Sequence, residues 1–466
     1  MLPIAVIGLG TMGASLARNA ARFGARVTVF NRTHSKTDAF MAAHGSEGHF
    51  FPTTSLEQTV QSLASPRTLL IMVQAGQAVD DTIAALIPHL SAGDCIIDAG
   101  NSHFSDSERR EKMLKERGIH FLGLGVSGGE EGALNGPSMM AGGSEEAFVR
   151  VQPLLSKMAA DDAGRGKCIA YVGSGGAGHF VKMVHNGIEY GDMQLIAEAY
   201  DLLKRVCGLH NEDIAETFRA WNTKKELQSY LIEISEKIMR KKDVDGSSFI
   251  VDAILDRAAQ KGTGKWTMQA ALDLGISVPT IAAAIDARVL SSHKTLRQDV
   301  SSHLGSLNGL SSRSLSPSAI ANALSVGKIC SYAQGFSLIS AASDVHGWRI
   351  PLSEVCRIWT GGCIIRSSLL RRFSQAFSQH PSIAHLLLDE RMRRMIKSKH
   401  RSLRKVVAAG ALSGIPLPAL SSSLWYVDSL RTAVLPQNLT QAQRDFFGAH
   451  TYERIDKPGV FHTQWE

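Results

Sequence analysis

Three glycines near the start of the chain constrain its fold more than any other feature. Gly8, Gly10 and Gly13 follow a short apolar run, residues 3–7, and precede a stretch with helical spacing. Glycines at this spacing between a strand and a helix let the backbone approach a pyrophosphate at the helix N-terminus, where free N–H groups favour anions. The pattern therefore predicts a βαβ dinucleotide-binding unit.

The residues after the second predicted strand indicate which dinucleotide binds. That strand covers residues 26–30, and Asn31, Arg32 and Thr33 follow it. A site for NAD has Asp or Glu there to accept the ribose 2′-hydroxyl, whereas this chain has no carboxylate at that point. A guanidinium matches a 2′-phosphate in charge and geometry. We therefore predict NADP as the cofactor.

Two further predicted strands end in loops that are candidates for ligand contacts. The apolar runs at residues 68–73 and 95–99 end at Gln74-Ala75-Gly76 and at Gly100-Asn101-Ser102. In doubly wound sheets, ligands lie beyond the carboxyl ends of the strands. We therefore expect these loops to contact cofactor or substrate.

A glycine-rich loop follows the next predicted strand, residues 119–126. It begins Ser127-Gly128-Gly129 and continues to Gly132. A hydroxyl followed by glycines favours a backbone cradle for an oxyanion, and a flexible turn is the alternative.

The chain changes character after residues 173–178, a run rich in glycine. Strand patterns stop there, and residues 179–430 have mainly helical periodicity. A chain of 466 residues is also too long for a single core. We predict an α/β Rossmann-like N-terminal domain over residues 1–177, a large all-α domain over 178–434 and a C-terminal tail over 435–466.

Five polar side chains stand at helical spacing at the start of the predicted all-α domain. Lys182, His185, Asn186, Glu189 and Tyr190 fall at i, i+3, i+4, i+7 and i+8, which places them on one helix face. An ordinary solvated face is the alternative. Next to a dinucleotide unit, this face predicts a site for an anionic, hydroxyl-rich ligand, with two groups able to exchange protons.

Two segments of the second half have unusual composition. The loop Gln260 to Thr267 is polar, glycine-rich and basic, which suits a carboxylate or phosphate oxygen, although it lacks the spacing of a nucleotide-binding loop. The tail holds five aromatic residues between Phe446 and Trp465. This content predicts that the tail docks on a surface rather than remaining disordered.

Charge, cysteine and hydropathy patterns argue against several classes of protein. A net charge of +7 fits nucleic acid or small anions, but no aromatic–basic motif supports nucleic-acid binding. The six cysteines form no Cys-x-x-Cys pair, so we expect no metal site and a reducing compartment. No apolar run is long enough for a bilayer and residues 1–8 lack a basic leader, so we expect a cytoplasmic location without a membrane partner.

Taken jointly, the motifs resemble those of the decarboxylating 6-phosphogluconate dehydrogenases, within the larger β-hydroxyacid dehydrogenase group. The similarity runs nearly end to end and is carried by residues 7–13, 31–33, 100–102, 125–132, 182–190, 260–267 and 441–453. The resemblance implies NADP-dependent oxidative decarboxylation of 6-phosphogluconate, a step of the pentose phosphate pathway. It also implies a homodimer in which each tail reaches into the neighbouring subunit's site.

By this resemblance, Lys182 is the general base and Glu189 the general acid. The implied substrate contacts are Asn101, Ser127, Gly128, Gly129, His185, Asn186, Tyr190, Lys261, Thr263 and Arg288, with Arg444 and His450 acting across the dimer. The expected cofactor contacts are Gly8, Leu9, Gly10, Thr11, Met12, Gly13, Asn31, Arg32, Thr33, Val73, Gln74, Ala75 and Asn101. The alternatives are a non-decarboxylating β-hydroxyacid dehydrogenase and a non-catalytic NADP-binding sensor.

Overall fold

The first half of the chain forms one mixed sheet. The computed structural model describes residues 3–162, 164–244, 246–260, 262–305 and 315–466. The strands of the sheet are β1 Ile4–Ile7, β2 Val27–Phe30, β3 Phe50–Pro52, β4 Thr68–Ile71, β5 Cys95–Asp98, β6 His120–Ser127, β7 Ser138–Gly143 and β8 Ile169–Gly173. Their order is β3-β2-β1-β4-β5-β6-β7-β8, and all neighbours are parallel except β6 and β7.

This sheet confirms the predicted Rossmann-like N-terminal fold. Strands β1, β2, β4 and β5 are buried along their whole lengths, as expected for parallel strands covered by helices on both faces. The sequence pattern does not predict β3 and β7. β3 has only three residues, and β7, Ser-Met-Met-Ala-Gly-Gly, contains no β-branched residue.

Helices alternate with the strands and then build the second half. They are α1 Thr11–Arg22, α2 His34–His44, α3 Leu56–Gln61, α4 Gln77–Leu86, α5 Phe104–Lys115, α6 Gly129–Asn135, α7 Glu145–Met158, α8 Ala177–Arg205, α9 Asn211–Asn222, α10 Tyr230–Arg240, α11 Ile250–Ala253, α12 Thr263–Asp273, α13 Pro279–Ser292, α14 Lys294–Leu304, α15 Pro317–His346, α16 Leu352–Ile358, α17 Leu369–Gln379, α18 Glu390–Leu412, α19 Pro418–Arg431 and α20 Gln437–Gly448. In the described part of the chain, none of them has the length and apolar character needed to cross a membrane.

Helix α8 lies directly on the sheet because glycines face it. A Cβ atom on Gly178 would lie 2.2 Å from the carbonyl oxygen of Gly123, and a Cβ on Gly125 would lie 2.6 Å from Cβ of Lys182. Such distances are shorter than real carbon contacts, so a larger residue would push α8 off β6. The close approach holds Lys182 near the carboxyl end of the sheet.

The tail has a polar centre of its own. It consists of α20 and an antiparallel pair, β9 Tyr452–Glu453 and β10 Val460–Phe461. The buried carboxylate of Asp445 accepts hydrogen bonds from Thr451 N at 2.9 Å, His462 Nδ1 at 2.9 Å, Thr463 N at 3.0 Å and Trp465 Nε1 at 2.8 Å. Burial opposes ionisation of Asp445, but these hydrogen bonds outweigh it and lower the pKa to about 2.

The outer face of the tail remains uncovered. Phe446 is 55% exposed and Phe447 is 73% exposed. The tail is therefore ordered around Asp445, yet it leaves exposed the aromatic side chains that predicted a docking surface.

A carboxyl group of α8 holds the start of α19. Glu198 is buried, and its two oxygens accept hydrogen bonds from the backbone N–H groups of Ala419 at 2.7 Å and Leu420 at 2.8 Å. These N–H groups lie in the first turn of α19, where a helix has no backbone acceptor for them. The N-cap residue is Leu417, whose apolar side chain cannot accept a hydrogen bond either. Glu198 therefore caps α19 from another helix.

Replacing Glu198 by Ala should destabilise the protein by about 2 kcal/mol or more, because two buried N–H groups lose their acceptors. Glu198→Gln should cost less, since one side-chain oxygen remains. Gln194→Ala removes only a side-chain donor to Glu198 and should cost least. Urea unfolding followed by circular dichroism measures the order, and a wild-type midpoint for Glu198→Ala would contradict the cap.

Candidate functional site

A cleft of about 820 Å³ lies between the carboxyl end of the sheet and the helical half. Lys182, Asn186, Glu189 and Tyr190 of α8 all line it. The other lining residues come mainly from strand-end loops and from helices α1, α12 and α13: Met12, Gln74, Ala75, Asn101, Val126, Ser127, Gly128, Gly129, Ala259, Gln260, Thr263, Trp266, Arg288 and Ile364. Tertiary folding thus brings the predicted helix stripe and the predicted loops around one space.

The amine of Lys182 lies in the wall of the cleft with little access to water. Its side chain is buried, and Nζ donates a hydrogen bond to Oδ1 of Asn186 at 2.7 Å. Burial lowers the pKa of Lys182, while the negative charge of Glu189 opposes this shift. The site therefore favours the neutral amine, which can accept a proton.

The pKa of Glu189 is shifted upward, opposite to that of Lys182. Its side chain is 22% exposed to the cleft. Burial raises the pKa of Glu189, and the cations of Lys182 and Arg288 partly offset this effect. Burial therefore shifts the amine toward its neutral form and the carboxyl group toward its protonated form, which are the directions that a base and an acid on one helix face need.

His185 lies behind the wall of the cleft. Its side chain is fully buried, with Nε2 3.1 Å from Oγ of Ser127 and Nδ1 3.3 Å from Oδ1 of Asn186. Burial, together with the charge of Lys182, holds the pKa of His185 well below its usual value. The imidazole is therefore neutral, and it orients two polar side chains that do line the cleft.

Arg288 of α13 supplies positive charge to the cleft beside Tyr190. Its guanidinium carbon lies 3.5 Å from the centre of the Tyr190 ring. The same ring contacts α12, because a Cβ on Gly264 would lie 2.6 Å from Cε2 of Tyr190. The stacked pair places a cation and a phenol together, which suits an anionic, oxygen-rich ligand.

The basic loop predicted at residues 260–267 is only partly a loop. Helix α12 begins at Thr263, after Gly262 with a φ of +93°. A residue in this left-handed region reverses the chain, and glycine tolerates it at little cost. Lys261, for which the resemblance implied a substrate contact, lies outside the described residues.

The glycine-rich loop after β6 packs against the backbone near Gly362. Gly128 has a φ of +125°, and a Cβ there would lie 2.6 Å from the carbonyl oxygen of Gly362. This contact seats the loop on the segment that contains Ile364, a lining residue that no sequence pattern reveals. Gln260 and Trp266 also line the cleft; both belong to the segment 260–267 that the sequence singled out, although neither was named as a contact.

A second cavity, of about 490 Å³, lies at the carboxyl ends of β1, β2 and β4. The expected cofactor residues in its lining are Gly8, Gly10, Asn31, Arg32, Thr33, Val73 and Gln74. They are joined by Ile7, Phe30, Lys36, Leu56, Met72, Ala78, Asp81, Thr82 and Ala85. Gln74 lines both cavities, which places them side by side.

The donor set of this second cavity fits a dinucleotide. Gly8 has a φ of +99°, and Gly10 has no atom within 4 Å of an added Cβ, so the backbone is open to a phosphate. The backbone N–H of Leu9 donates to Oδ1 of Asn31 at 3.0 Å, which ties the glycine turn to the end of β2. Arg32, directly after β2, and Lys36, which the sequence analysis missed, both line this cavity and give it positive charge.

Some residues predicted as cofactor or substrate contacts line neither of the two cavities described above. Gly13 packs inside the turn, where an added Cβ would lie 1.9 Å from the carbonyl oxygen of Gly8. Leu9 and Thr11 are also absent from both linings. Arg444 and His450 are exposed on the tail and line neither cavity of their own chain.

The fold and the two cavities define a dinucleotide-binding protein with an acid–base cleft beside the dinucleotide site. Within the described ranges, no group of three or more His, Cys, Asp or Glu side chains could hold a metal ion. Residues 3–173 match the NAD binding domain of 6-phosphogluconate dehydrogenase, and residues 178–465 match the C-terminal domain of 6-phosphogluconate dehydrogenase. The chain belongs to the 6-phosphogluconate dehydrogenase family.

Relatives match over nearly the full length. The decarboxylating 6-phosphogluconate dehydrogenase of Synechococcus elongatus is 52% identical over 99% of this chain and 98% of its own. The NADP(+)-dependent, decarboxylating enzyme of Bacillus subtilis is 49% identical with the same coverage. The structure of Plasmodium falciparum 6-phosphogluconate dehydrogenase, known with NADP+ and with 6-phosphogluconate, has a TM-score of 0.96 at 42% identity, covering 99% of this chain and all of that one.

Proposed function

We propose that this protein catalyses the NADP-dependent oxidative decarboxylation of 6-phosphogluconate to ribulose 5-phosphate, CO2 and NADPH. The observation that carries the proposal is the position of Lys182 and Glu189 on one helix face, in a cleft that shares Gln74 with the dinucleotide cavity. Relatives with the decarboxylating activity in their names, at about half identity over the whole chain, support it. An intact base and acid count against a non-catalytic sensor, and the full-length match counts against the non-decarboxylating alternative.

The first chemical step uses Lys182 as the base. NADP, when bound, accepts a hydride from C3 of the substrate. The neutral amine of Lys182 takes the proton of the C3 hydroxyl as that hydride leaves. The product is a β-keto acid, whose carbonyl group can receive the electrons released when the C–CO2 bond breaks.

The second step uses both residues. The Lys182 ammonium gives its proton to the carbonyl oxygen while CO2 leaves and an enediol forms. Glu189 then gives its proton to C1 of the enediol, and Lys182 takes back the proton of the adjacent hydroxyl, so that the carbonyl group of ribulose 5-phosphate forms. No metal is required in this scheme, because the ammonium polarises the carbonyl.

The polar lining of the cleft would hold the substrate. Asn101, Ser127, Asn186 and the backbone of residues 128–129 offer hydrogen bonds to its hydroxyl and carboxylate groups. We propose Tyr190, Thr263, Arg288 and Lys261 as further substrate contacts, with His185 acting through Ser127 and Asn186.

We propose that the active unit is a homodimer with exchanged tails. Arg444 and His450 are cationic or polar residues that do not line the cleft of their own chain, and the tail keeps exposed aromatic side chains. A partner subunit would cover those aromatic residues and receive Arg444 at its own cleft.

The domain limits we propose are 1–177, 178–434 and 435–466, and the free cysteines favour a cytoplasmic location.

Lys182→Arg should bind substrate and NADP but lose turnover, because a guanidinium stays protonated. In the wild type, kcat/KM should rise with pH through the pKa of Lys182, below the usual ~10.4, and fall as Glu189 loses its proton. Glu189→Gln should abolish the falling limb and slow product protonation more than hydride transfer. Rates of NADPH formation and of tritium incorporation at C1 separate the steps; turnover by Lys182→Arg would remove Lys182 as the base.

Arg32→Ala should raise KM for NADP about tenfold or more and leave KM for NAD nearly unchanged, because a charge-assisted contact to the 2′-phosphate is lost. Steady-state kinetics with both cofactors measures the change in selectivity. Arg26→Ala, an exposed arginine at the other end of β2, is the matched control and should behave as wild type. Equal selectivity in Arg32→Ala and wild type would assign the 2′-phosphate elsewhere.

Tail exchange can be tested by mixing two inactive variants, Lys182→Arg and Arg444→Ala. In a mixed dimer with exchanged tails, the subunit with intact Lys182 receives an intact tail, so one complete site forms. Random mixing should therefore restore about a quarter of wild-type activity, since half of the dimers are mixed and each has one working site. If each tail served its own chain, no site in the mixture would be complete and activity would stay absent.

A further inference from the structure

We propose that Arg110 is a positioning residue that sets the cofactor-side loop and the substrate-side loop at a fixed separation; this inference rests on the function proposed above. The two loops are the β4 loop, residues 72–76, and the β5 loop, residues 99–103. Arg110 belongs to α5 and is fully buried, although it lines neither the cleft nor the dinucleotide cavity.

One side of the guanidinium holds the β4 loop. Nη2 of Arg110 donates to the carbonyl oxygen of Gly76 at 3.1 Å, and Nε donates to Oδ1 of Asp80 at 2.8 Å. Asp80 lies in the first turn of α4, directly after the loop. The end of the β4 loop and the start of α4 are therefore held by one side chain.

The other side holds the β5 loop. Nη1 of Arg110 donates to Oδ2 of Asp98 at 3.2 Å and to Oγ of Ser102 at 3.2 Å. Ser102 in turn donates to Asp98 at 2.6 Å, and the backbone N–H of Gly100 donates to the same carboxylate at 3.1 Å. Asn101 thus lies between two residues that this network fixes.

These contacts matter for catalysis because the two loops face the same reaction. Gln74 lines both the dinucleotide cavity and the cleft, and Asn101 lines the cleft. A planar, rigid fork with donors on several edges can bridge the loops, whereas a lysine ammonium cannot reach both sets of acceptors. Displacing one loop would change the distance over which the hydride moves, and errors of about 1 Å cost about 100-fold in rate.

The test is Arg110→Lys, which keeps the charge but not the bridge. With 6-phosphogluconate and NADP we expect kcat to fall about 10- to 100-fold while both KM values change by less than about threefold. We also expect a larger kinetic isotope effect with substrate deuterated at C3, because hydride transfer becomes rate-limiting. A purely structural role would lower the amount of folded enzyme without changing the isotope effect.

Two further variants make the test decisive. Arg109→Lys is the matched control, because Arg109 shares Asp80 with Arg110 but is 53% exposed; it should keep the wild-type kcat and isotope effect. Ser102→Ala removes one of the two acceptors that Arg110 has in the β5 segment and leaves Asp98 as the other, so it should show the Arg110→Lys pattern at smaller size. If Arg110→Lys does not fold, the isotope effect of Ser102→Ala tests the positioning role of Arg110 in its place.

The outcomes separate this inference from the proposed function. Wild-type protein that forms no NADPH from 6-phosphogluconate would overturn the proposed function, and the role of Arg110 with it. Active wild type with unchanged isotope effects in Arg110→Lys and Ser102→Ala, after correction for the folded fraction, would overturn the role of Arg110 alone.

Discussion

The direct contact between α8 and β6 is the constraint on which the rest of the site depends. Glycines at 123, 125 and 178 let a helix that carries the polar stripe lie against the carboxyl end of the sheet, with the side chains of His179 and Lys182 against the two glycines of β6. That contact removes Lys182 from water, and the loss of hydration lowers its pKa. A bulkier residue in β6 would move the helix outward, expose the amine and separate it from Asn101 and Ser127. The packing of these glycines therefore contributes to the burial that lowers the pKa of Lys182.

The cleft assigns different protonation states to two groups by the same physical cause. Burial disfavours charge, so it lowers the pKa of an amine and raises that of a carboxyl group. Lys182 and Glu189 lie on one helix, close enough for each to moderate the shift of the other. Arg288 adds a cation beside this helix face, where it stacks on the ring of Tyr190. Neutral His185 orients Ser127 and Asn186 without adding a charge to the site.

Helix α8 supplies only part of the site, and the strand-end loops and the C-terminal tail are each ordered by one buried charged residue. Behind the strand ends, Arg110 joins two loops whose order along the chain says nothing about their separation. At the chain end, Asp445 gathers four donors and gives the tail a defined shape, yet its aromatic face stays open. A folded segment with an uncovered apolar face is the expected form of an element that is completed by a neighbour.

Features that depend on local spacing could be predicted from the sequence alone. The glycine pattern of residues 8–13, the absence of a carboxylate after β2, the buried parallel strands and the five-residue stripe on α8 all follow from periodicity and from the φ angles that glycine permits. The start of α12 at Thr263, the places of Trp266 and Ile364 in the lining, the burial of His185 behind it and the bridge through Arg110 do not. Only the tertiary structure decided these features, because each depends on contacts between residues far apart in the chain. The directions of the pKa shifts belong to the same group, since they are set by how much water the folded protein excludes.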